Sequence, residues 1–422
     1  LFNEAEVFAE VSTKQEEAVV VAAHKRHKKH EYTLDNIPEG IPTKQVEHRL
    51  EGEELVCPQC GDTMTEIGKE VVRTLEIIPA QTIVREDIYY TYACKSCSEN
   101  ADEGCETPMV KAPKEKNIIP GSFATPEAVA HIMTQKFVMG CPLYRQEQDL
   151  NRRGIPLSRQ TMSNWILRAT ENYLTPVYEQ MHKELLRREV LHADETTLQV
   201  LHEPGKAPQS ESYMWLYRTS GDTNKPIVLY EYQPGRGAKH PEAFLKGFKG
   251  YLHTDGYAGY HNLPEEITVV GCWAHARRKF DEAVRSLPKG KAKGSSASQG
   301  LTYCNLLFRM EQEIADKTAE ERYEERLKQA KPVLDAMFAW ANSRTAAPKS
   351  ALGKALNYLK EQWPYLTNYL KDGRLELSNN RAERSIKPFV IDRKNFLFAN
   401  TPKGAAGSAV MFSLIQTTME NG

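Results

Sequence analysis

Two aspartates occupy positions where an acidic side chain is unusual. Asp194 lies within the strand-like segment Val190-Leu-His-Ala-Asp-Glu-Thr-Thr-Leu-Gln-Val200, and Asp255 directly follows a second one, Tyr251-Leu-His-Thr254. A carboxylate in an apolar strand needs a cation, and Mg²⁺ prefers oxygen ligands. On adjacent strands the two aspartates would bind a divalent metal ion. Either residue alone is equally well explained as a strand-end or turn residue.

A third carboxylate has two competing explanations. Glu383 lies in Ser378-Asn-Asn-Arg-Ala-Glu-Arg-Ser-Ile386, which predicts a helix start. With Asn380 as the cap, Glu383 would be the third helical residue, where a capping-box glutamate sits. The residues alone leave this role open, and they do not favour Glu383 over Glu361 or Glu376 as an acidic ligand. Three carboxylates would suit two Mg²⁺ or Mn²⁺ ions, about 3.5 to 4 Å apart, for in-line displacement at phosphorus.

The elements that must hold these carboxylates alternate in type. Strand signals at 190–201, 213–218 and 226–232 precede a helix at about 241–248, strands at 251–254 and 267–270, and a basic helix at 274–284. This order predicts a mixed sheet flanked by helices, as in the ribonuclease-H-like fold. After the low-complexity loop 289–299, apolar residues at helical spacing predict an all-helical insertion that ends near Asp372.

Two cysteine pairs predict a different metal site. Cys57 and Cys60 form one Cys-x-x-Cys pair, and Cys94 and Cys97 form the second, 33 residues further on. Four thiolates close a tetrahedral shell around a structural Zn²⁺; the alternative is that these are free structural cysteines. Cys105 is a substitute candidate for one ligand. The other three are expected to be small buried apolar groups: Cys141, Cys272 and Cys304.

Three helical stretches, roughly 125–139, 142–152 and 158–187, predict a domain of helix-turn-helix size with breaks at Gly140 and Gly154. Ser158 is a good cap for the third helix. Polar side chains near its start suit base edges and phosphates, namely Arg159, Gln160, Ser163 and Asn164. The alternative is a three-helix packing domain with a solvated polar face.

Two basic segments follow the predicted acidic positions. Ala274-His-Ala-Arg-Arg-Lys279 follows the fifth strand, and Asp392-Arg-Lys-Asn395 follows Glu383. Both could hold phosphates near the metal ions, or they could be ordinary solvated helix faces. The candidate DNA contacts are Arg277, Arg278, Arg393 and Lys394. His275 is expected to be a core histidine or to support the site without binding metal.

Length and composition set the class of protein. The 422 residues, 40% hydrophobic and 26% charged with a net charge of -1, predict a soluble protein of several domains. Because no apolar run approaches the roughly 20 residues of a membrane span, we expect a cytoplasmic protein. The chain opens at Leu1, with no Met, and stops at Gly422 just after a helix-like stretch, so we expect a fragment at both ends.

The expected organisation is multidomain α/β. It comprises a basic N-terminal arm (1–50), a zinc-binding module (51–110), a helical DNA-binding domain (111–188), the first part of a ribonuclease-H-like core (189–285), a helical insertion (286–375) and the last part of the core (376–422).

The chain resembles the bacterial DDE transposases of the insertion-sequence-sixty-six family. The matching segments run in family order and are Arg73-Thr-Leu-Glu-Ile-Ile-Pro79, His192-Ala-Asp-Glu-Thr196, His253-Thr-Asp-Gly-Tyr257, Gly271-Cys-Trp-Ala-His275 with Arg277-Arg-Lys-Phe280, and Asn379-Asn-Arg-Ala-Glu-Arg384 through Arg393-Lys-Asn-Phe396. The resemblance implies that Asp194, Asp255 and Glu383 are the catalytic and metal-binding triad, that the cysteine pairs bind zinc, and that a helical insertion separates the second and third carboxylates.

The resemblance implies a transposase that binds element ends and target DNA and catalyses metal-dependent cleavage and strand transfer. We expect a homo-oligomer on DNA, in the bacterial cytoplasm and at the nucleoid, with companion proteins of the same element in some members. Family members have a longer N-terminal region and a further C-terminal segment, neither of which is evident here. Two alternatives remain: a DNA-binding regulator from a decayed element with an idle site, and a nuclease of the same fold.

Overall fold

The computed structural model describes residues 82–93, 109–114, 116–288 and 290–422. The chain divides into two compact units, Leu1–Ala112 and Pro113–Gly422, and each is described by itself. The predicted basic arm lies outside the described residues. So do the five cysteines assigned to zinc or as a substitute ligand: Cys57, Cys60, Cys94, Cys97 and Cys105.

The described part of the first unit contains a short antiparallel pair. Strand β1 (Thr91–Ala93) pairs with β2 (Met109–Lys111), with Tyr92 opposite Val110. The Val-, Ile- and Tyr-containing pieces Thr82-Ile-Val-Arg and Asp87-Ile-Tyr-Tyr-Thr-Tyr predict short strands, but 82–90 is not strand. These residues, such as Val84 at 90% exposure, have β-forming side chains and no surface to pack against within the described residues. Strand propensity largely reflects such packing.

The second unit opens with four helices. They are α1 (Pro126–Phe137), α2 (Leu143–Arg152), α3 (Arg159–Ala169) and, after a π-helical turn, α4 (Thr175–Leu185). The predicted cap at Ser158 is confirmed, because its hydroxyl accepts a hydrogen bond from the amide of Thr161 at 3.1 Å. The predicted breaks are also confirmed: Gly140 and Gly154 have φ of 63° and 78°, which favours glycine.

A five-stranded mixed sheet follows, in the order β5-β4-β3-β6-β7. Its strands are β3 (Val190–Gln199), β4 (Glu211–Thr219), β5 (Val228–Gln233), β6 (Gly250–His253) and β7 (Ile267–Val270). β3, β4 and β5 pair antiparallel, whereas β3, β6 and β7 pair parallel. The five strands predicted between residues 190 and 270 therefore all form, and β3 lies at the centre of the sheet.

The helices around the sheet also follow the predicted order. They are α5 (Lys239–Phe244), α6 (Trp273–Arg285), α7 (Ser296–Glu313), α8 (Ala319–Glu325), α9 (Lys331–Asn342), α10 (Ala351–Leu366), α11 (Asn380–Phe396) and α12 (Pro402–Asn421). Helices α7 to α10 lie in the segment predicted as a helical insertion, and α7, α9 and α10 share a core with α6 and the end of β7, built around Trp273, Phe280 and Met337. No helix among the described residues has the length and apolar character needed to cross a membrane.

The two faces of the sheet bury different partners. Leu198 and Leu216 face a core shared with α1, α3, α11 and α12, whereas Leu191 and Trp215 face a core that includes Phe244 of α5. Successive side chains of a strand point to opposite faces. Residues of β3 with even numbers therefore share the face that α11 covers.

Candidate active site

Asp194 lies in the central strand on the face covered by α11. Its Oδ1 accepts a hydrogen bond from the amide of Glu195 at 2.8 Å. Burial raises the pKa of Asp194 well above its usual value of 3.8, and the negative charges of Glu195, Asp255 and Glu383 raise it further. Asp255 and Glu383 therefore lie within electrostatic range of Asp194. The structure brings the three predicted carboxylates into one neighbourhood.

Asp255 is positioned by the register of the neighbouring strand. β6 runs parallel to β3 with His253 opposite His192, so each aspartate comes two residues after this histidine pair. Adjacent strands lie about 4.8 Å apart, which places the two aspartates next to each other on neighbouring strands. Asp255 Oδ1 accepts from the amide of Tyr257 at 2.8 Å, and the Tyr358 hydroxyl donates to the Asp255 carbonyl at 3.0 Å.

Glu383 lies in the first turn of α11. The cap of this helix is Asn379, whose side chain makes no capping hydrogen bond. The alternative explanation, a capping box with Asn380 as cap, is therefore wrong: Glu383 is the fourth helical residue, beyond the third position that a capping box requires. Glu383 Oε1 lies 3.8 Å from His275 Nδ1, and Oε2 lies 3.9 Å from a guanidinium nitrogen of Arg278.

Asn379 fixes the start of α11 against the central strand. Its side chain is fully buried, and its amide nitrogen donates to the carbonyl of Ala193 at 2.8 Å. Its carbonyl oxygen accepts from His192 Nδ1 at 2.9 Å, and its backbone amide donates to Cys272 Sγ at 3.2 Å. One side chain thus ties the helix of Glu383 to the residues just before Asp194.

Two stacked histidines lie beneath the aspartates. The rings of His192 and His253 are 4.3 Å apart, and both side chains are fully buried. Burial lowers the pKa of His192 to about 3 and that of His253 well below 6.5. Both imidazoles are therefore neutral at physiological pH. Sequence reasoning missed them, although their signal was present: each precedes an aspartate by two residues.

Glu195 faces the opposite side of the sheet from Asp194. Its side chain is only 1% exposed and binds Arg236 at 2.5 Å. The Tyr260 hydroxyl donates to its other oxygen at 2.7 Å. Both oxygens of Glu195 thus have protein donors. Glu195 is a supporting carboxylate on the reverse face, a role that the sequence did not indicate.

The four predicted base-reading residues lie together at the start of α3. Arg159, Gln160 and Asn164 are exposed, and Ser163 is half-buried. Gln160 donates to the Asn164 side chain at 3.2 Å, and the Arg159 guanidinium lies 5.6 Å from the ring centroid of Tyr144. The buried side of α3, with Met162 and Trp165, faces the core.

The basic residues near the site differ in exposure. Arg278 is 41% exposed and Lys394 is exposed. Arg277 is buried and its Nε donates to Asn305 at 2.7 Å. Arg393 binds the side chains of Thr196 and Thr197 in β3 at 3.2 and 3.0 Å. Arg278 and Lys394 are thus open to solvent, whereas Arg277 and Arg393 bind other parts of the protein.

Two transposase family models match this chain. The description "Transposase IS66 family" matches residues 121–407, and "zinc-finger binding domain of transposase IS66" matches residues 54–98. The first match covers more than half of the chain, and the second includes both Cys-x-x-Cys pairs. The chain belongs to the IS66 transposase family.

Relatives from Sinorhizobium fredii match over most of the chain. The uncharacterized protein y4hP is 30% identical over 86% of this chain and 67% of its own length. The uncharacterized protein y4jD is 30% identical over 92% of this chain and 75% of its own length. The uncharacterized protein y4qI is 33% identical over 74% of this chain and 60% of its own length. These relatives are thus longer than the part of them that this chain matches.

Proposed function

We propose that this chain acts as an insertion-sequence transposase that cuts and joins DNA at a site formed by Asp194, Asp255 and Glu383. The observation that carries the proposal is electrostatic: the charges of Asp255 and Glu383 both raise the pKa of a half-buried Asp194. Three like charges gathered beside a sheet edge disfavour the folded state unless a cation offsets them. Their gathering is therefore best explained by a role in holding cations.

The donor set fits Mg²⁺ or Mn²⁺. Every proposed ligand is a carboxylate, and hard divalent cations prefer such oxygens. Two ions bound there would stabilise the attacking and leaving oxygens of an in-line displacement at phosphorus. Asp194 and Asp255 come from neighbouring strands, which hold them rigidly, while Glu383 comes from a helix that Asn379 anchors to the sheet.

The strand order supports a ribonuclease-H-like core, in which three antiparallel strands precede two parallel ones. Around it, Arg278 and Lys394 are the exposed cations best placed to bind DNA phosphates. Helix α3 would read bases at the element ends through Arg159, Gln160 and Asn164. We assign Arg277 and Arg393 a structural role, because each hydrogen-bonds to other residues of the protein.

The N-terminal module would hold one structural Zn²⁺ through its two cysteine pairs, and the domain limits would follow those drawn from the sequence. The working complex would be a homo-oligomer on DNA in the bacterial cytoplasm, with companion proteins of the same element as partners. These proposals rest on the family match and on the cysteine spacing.

The test is cleavage and joining of DNA that carries the element ends, in the presence of Mg²⁺ or Mn²⁺. The parent protein should give cleaved and joined products, and Asp194→Ala, Asp255→Ala and Glu383→Ala should each lose them. Glu361→Ala is the matched control, because this carboxylate is exposed on α10, and it should retain activity.

Products from the parent that the three substitutions leave unchanged would contradict the proposed site. Cleavage without joining would indicate a nuclease of the same fold. Specific binding of the end DNA without any product would indicate a regulator with an idle site.

A further inference from the structure

Three side chains beside the proposed active site form a group of a different chemical kind. Cys272, His275 and Glu383 each offer one ligand atom, and these atoms all lie within 4.8 Å of one another. A thiol, an imidazole and a carboxylate together do not suit Mg²⁺, which favours oxygen ligands. This combination is typical of zinc and of the transition metals close to it.

The local fold brings the three ligands together. Cys272 directly precedes α6 and is fully buried, and His275 lies one turn into that helix. A helix places residues three apart on the same face, so both side chains point to the same side. Glu383 reaches them from the first turn of α11, with Oε1 3.8 Å from His275 Nδ1.

Polar contacts orient the ligand atoms of this group. The Cys272 sulfur accepts a hydrogen bond from the Asn379 amide at 3.2 Å and lies at the N-terminal end of α6. Glu383 directs Oε2 toward Arg278 at 3.9 Å, so its two oxygens face different side chains. Oε1 is the oxygen directed toward His275.

The distances are close to those of a bound site. With Zn–S of about 2.3 Å and Zn–N and Zn–O of about 2.1 Å, ligand atoms of a tetrahedral shell lie about 3.6 Å apart. The separation of up to 4.8 Å would therefore close by about 1 Å through side-chain rotation. Three protein ligands leave a fourth position for water or for a phosphate oxygen.

We infer that Cys272, His275 and Glu383 form a binding site for one zinc-like divalent ion, separate from the ions held by the two aspartates. The site goes beyond the proposed function, because it requires only that a metal ion binds. It would exist even in a protein that does not cleave DNA. It shares Glu383 with the carboxylate group. An ion bound there draws Glu383 toward α6, so zinc and Mg²⁺ compete for this side chain.

The test is Co²⁺ binding to the full chain, followed by thiolate-to-cobalt absorption and by metal content after gel filtration. Any metal bound by cysteines outside the described residues would be common to all variants, so the measured quantity is the difference between variants. Cys272→Ser and His275→Gln should each bind one equivalent less than the parent. Cys304→Ser, which removes an equally buried cysteine in the core of the insertion, should bind as much as the parent.

Circular dichroism checks that each variant is folded, and His275→Gln tests the site independently should Cys272→Ser unfold. A parent crystal soaked in Zn²⁺ should show an anomalous peak between Cys272 Sγ, His275 Nδ1 and Glu383 Oε1. Equal cobalt content in all four proteins, or no peak at that position, overturns the inference. Because neither readout involves DNA, both remain informative should the proposed cleavage activity fail.

Discussion

Asn379 and His192 bind each other in the interior of the protein, with the asparagine oxygen 2.9 Å from Nδ1 of a fully buried imidazole. His192 Nε2 lies 3.2 Å from the Ser220 hydroxyl. Because the lowered pKa keeps this ring neutral, Nδ1 carries the proton and Nε2 accepts. The helix that carries Glu383 is thus held by a neutral hydrogen-bond chain that does not depend on pH near neutrality.

Replacing Asn379 should loosen this attachment. Asn379→Ala leaves the buried Ala193 carbonyl and His192 Nδ1 without their partners, which should lower the free energy of unfolding by about 1–3 kcal/mol. Because Glu383 would then be less well positioned, cleavage should also need more Mg²⁺ to reach half of its maximum. Urea denaturation and a Mg²⁺ titration measure the two effects.

Asn380→Ala is the control, because the Asn380 Oδ1 has no hydrogen-bond partner among the described residues. Its unfolding free energy and Mg²⁺ requirement should stay near those of the parent. If Asn379→Ala and Asn380→Ala have the same Mg²⁺ requirement, Asn379 does not position Glu383.

The raised pKa of Asp194 predicts a pH-dependent stability. A carboxyl group whose pKa is higher in the folded state favours folding when protonated, so its contribution is fully present below pH 3.8 and is lost as the pH rises through the folded value. In Mg²⁺-free buffer, Asp194→Asn should therefore become more stable relative to the parent as the pH rises from about 4. Thermal unfolding across this range measures the difference.

Added Mg²⁺ or Mn²⁺ should raise the Tm of the parent and have little effect on Asp194→Asn, since the variant lacks a charged ligand. A difference in Tm between the two proteins that is constant with pH would show that Asp194 does not titrate in the folded state as described.

Gly256 should tolerate no side chain. It has φ of 98°, and an added Cβ would lie 2.9 Å from the Tyr358 hydroxyl, which itself holds the Asp255 carbonyl. Gly256→Ala should cost about 1–2 kcal/mol from the left-handed backbone alone and should also reduce cleavage, because Tyr358 and Asp255 must shift. Denaturation and cleavage assays on the same preparation measure both.

Gly154→Ala separates the two effects. Gly154 has φ of 78° with nothing within 4 Å of an added Cβ, so its substitution should cost similar stability and leave cleavage unchanged. An equal loss of cleavage in both variants would mean that backbone strain alone is responsible.

Helix α3 should contribute to recognition of the element ends. Arg159→Ala should weaken binding to the specific DNA by about 1–3 kcal/mol, with less effect on unrelated DNA. Arg168→Ala is the control, an exposed arginine in the last turn of the same helix. Gel-shift titrations at fixed salt compare them, and equal effects of the two substitutions would argue for a purely electrostatic contact.

The strands and helices of the second unit could be predicted because the apolar residues that define their sequence patterns are the residues that pack into the cores. Two interpretations of local patterns failed because neither pattern records what the residues contact in the folded chain. Asn380 looked like the cap of α11, but Asn379 occupies that position and turns its side chain to β3. Residues 82–90 have strand-forming side chains but lie outside β1.

The site could be predicted in part. Asp194 lies within β3 and Asp255 follows the end of β6, and the apolar patterns of both strands are visible in the sequence. The pairing of His192 with Asn379, like the approach of Cys272 to Glu383, joins residues more than a hundred positions apart. Such contacts depend on where the chain packs against the sheet after the helical insertion. Local sequence patterns do not indicate that position.

The insertion returns the chain to the sheet by hydrogen bonds at the junction of β7 and α6. The Gly271 amide donates to the Tyr365 carbonyl at 2.9 Å, and the Trp273 amide donates to Leu377 at 3.0 Å. Glu383 follows Asp255 by more than a hundred residues, so its approach to the aspartates is a non-local contact of the kind that slows folding. A chain that ended between Asp255 and α11 would keep both aspartates but would lack Glu383, the third proposed metal ligand.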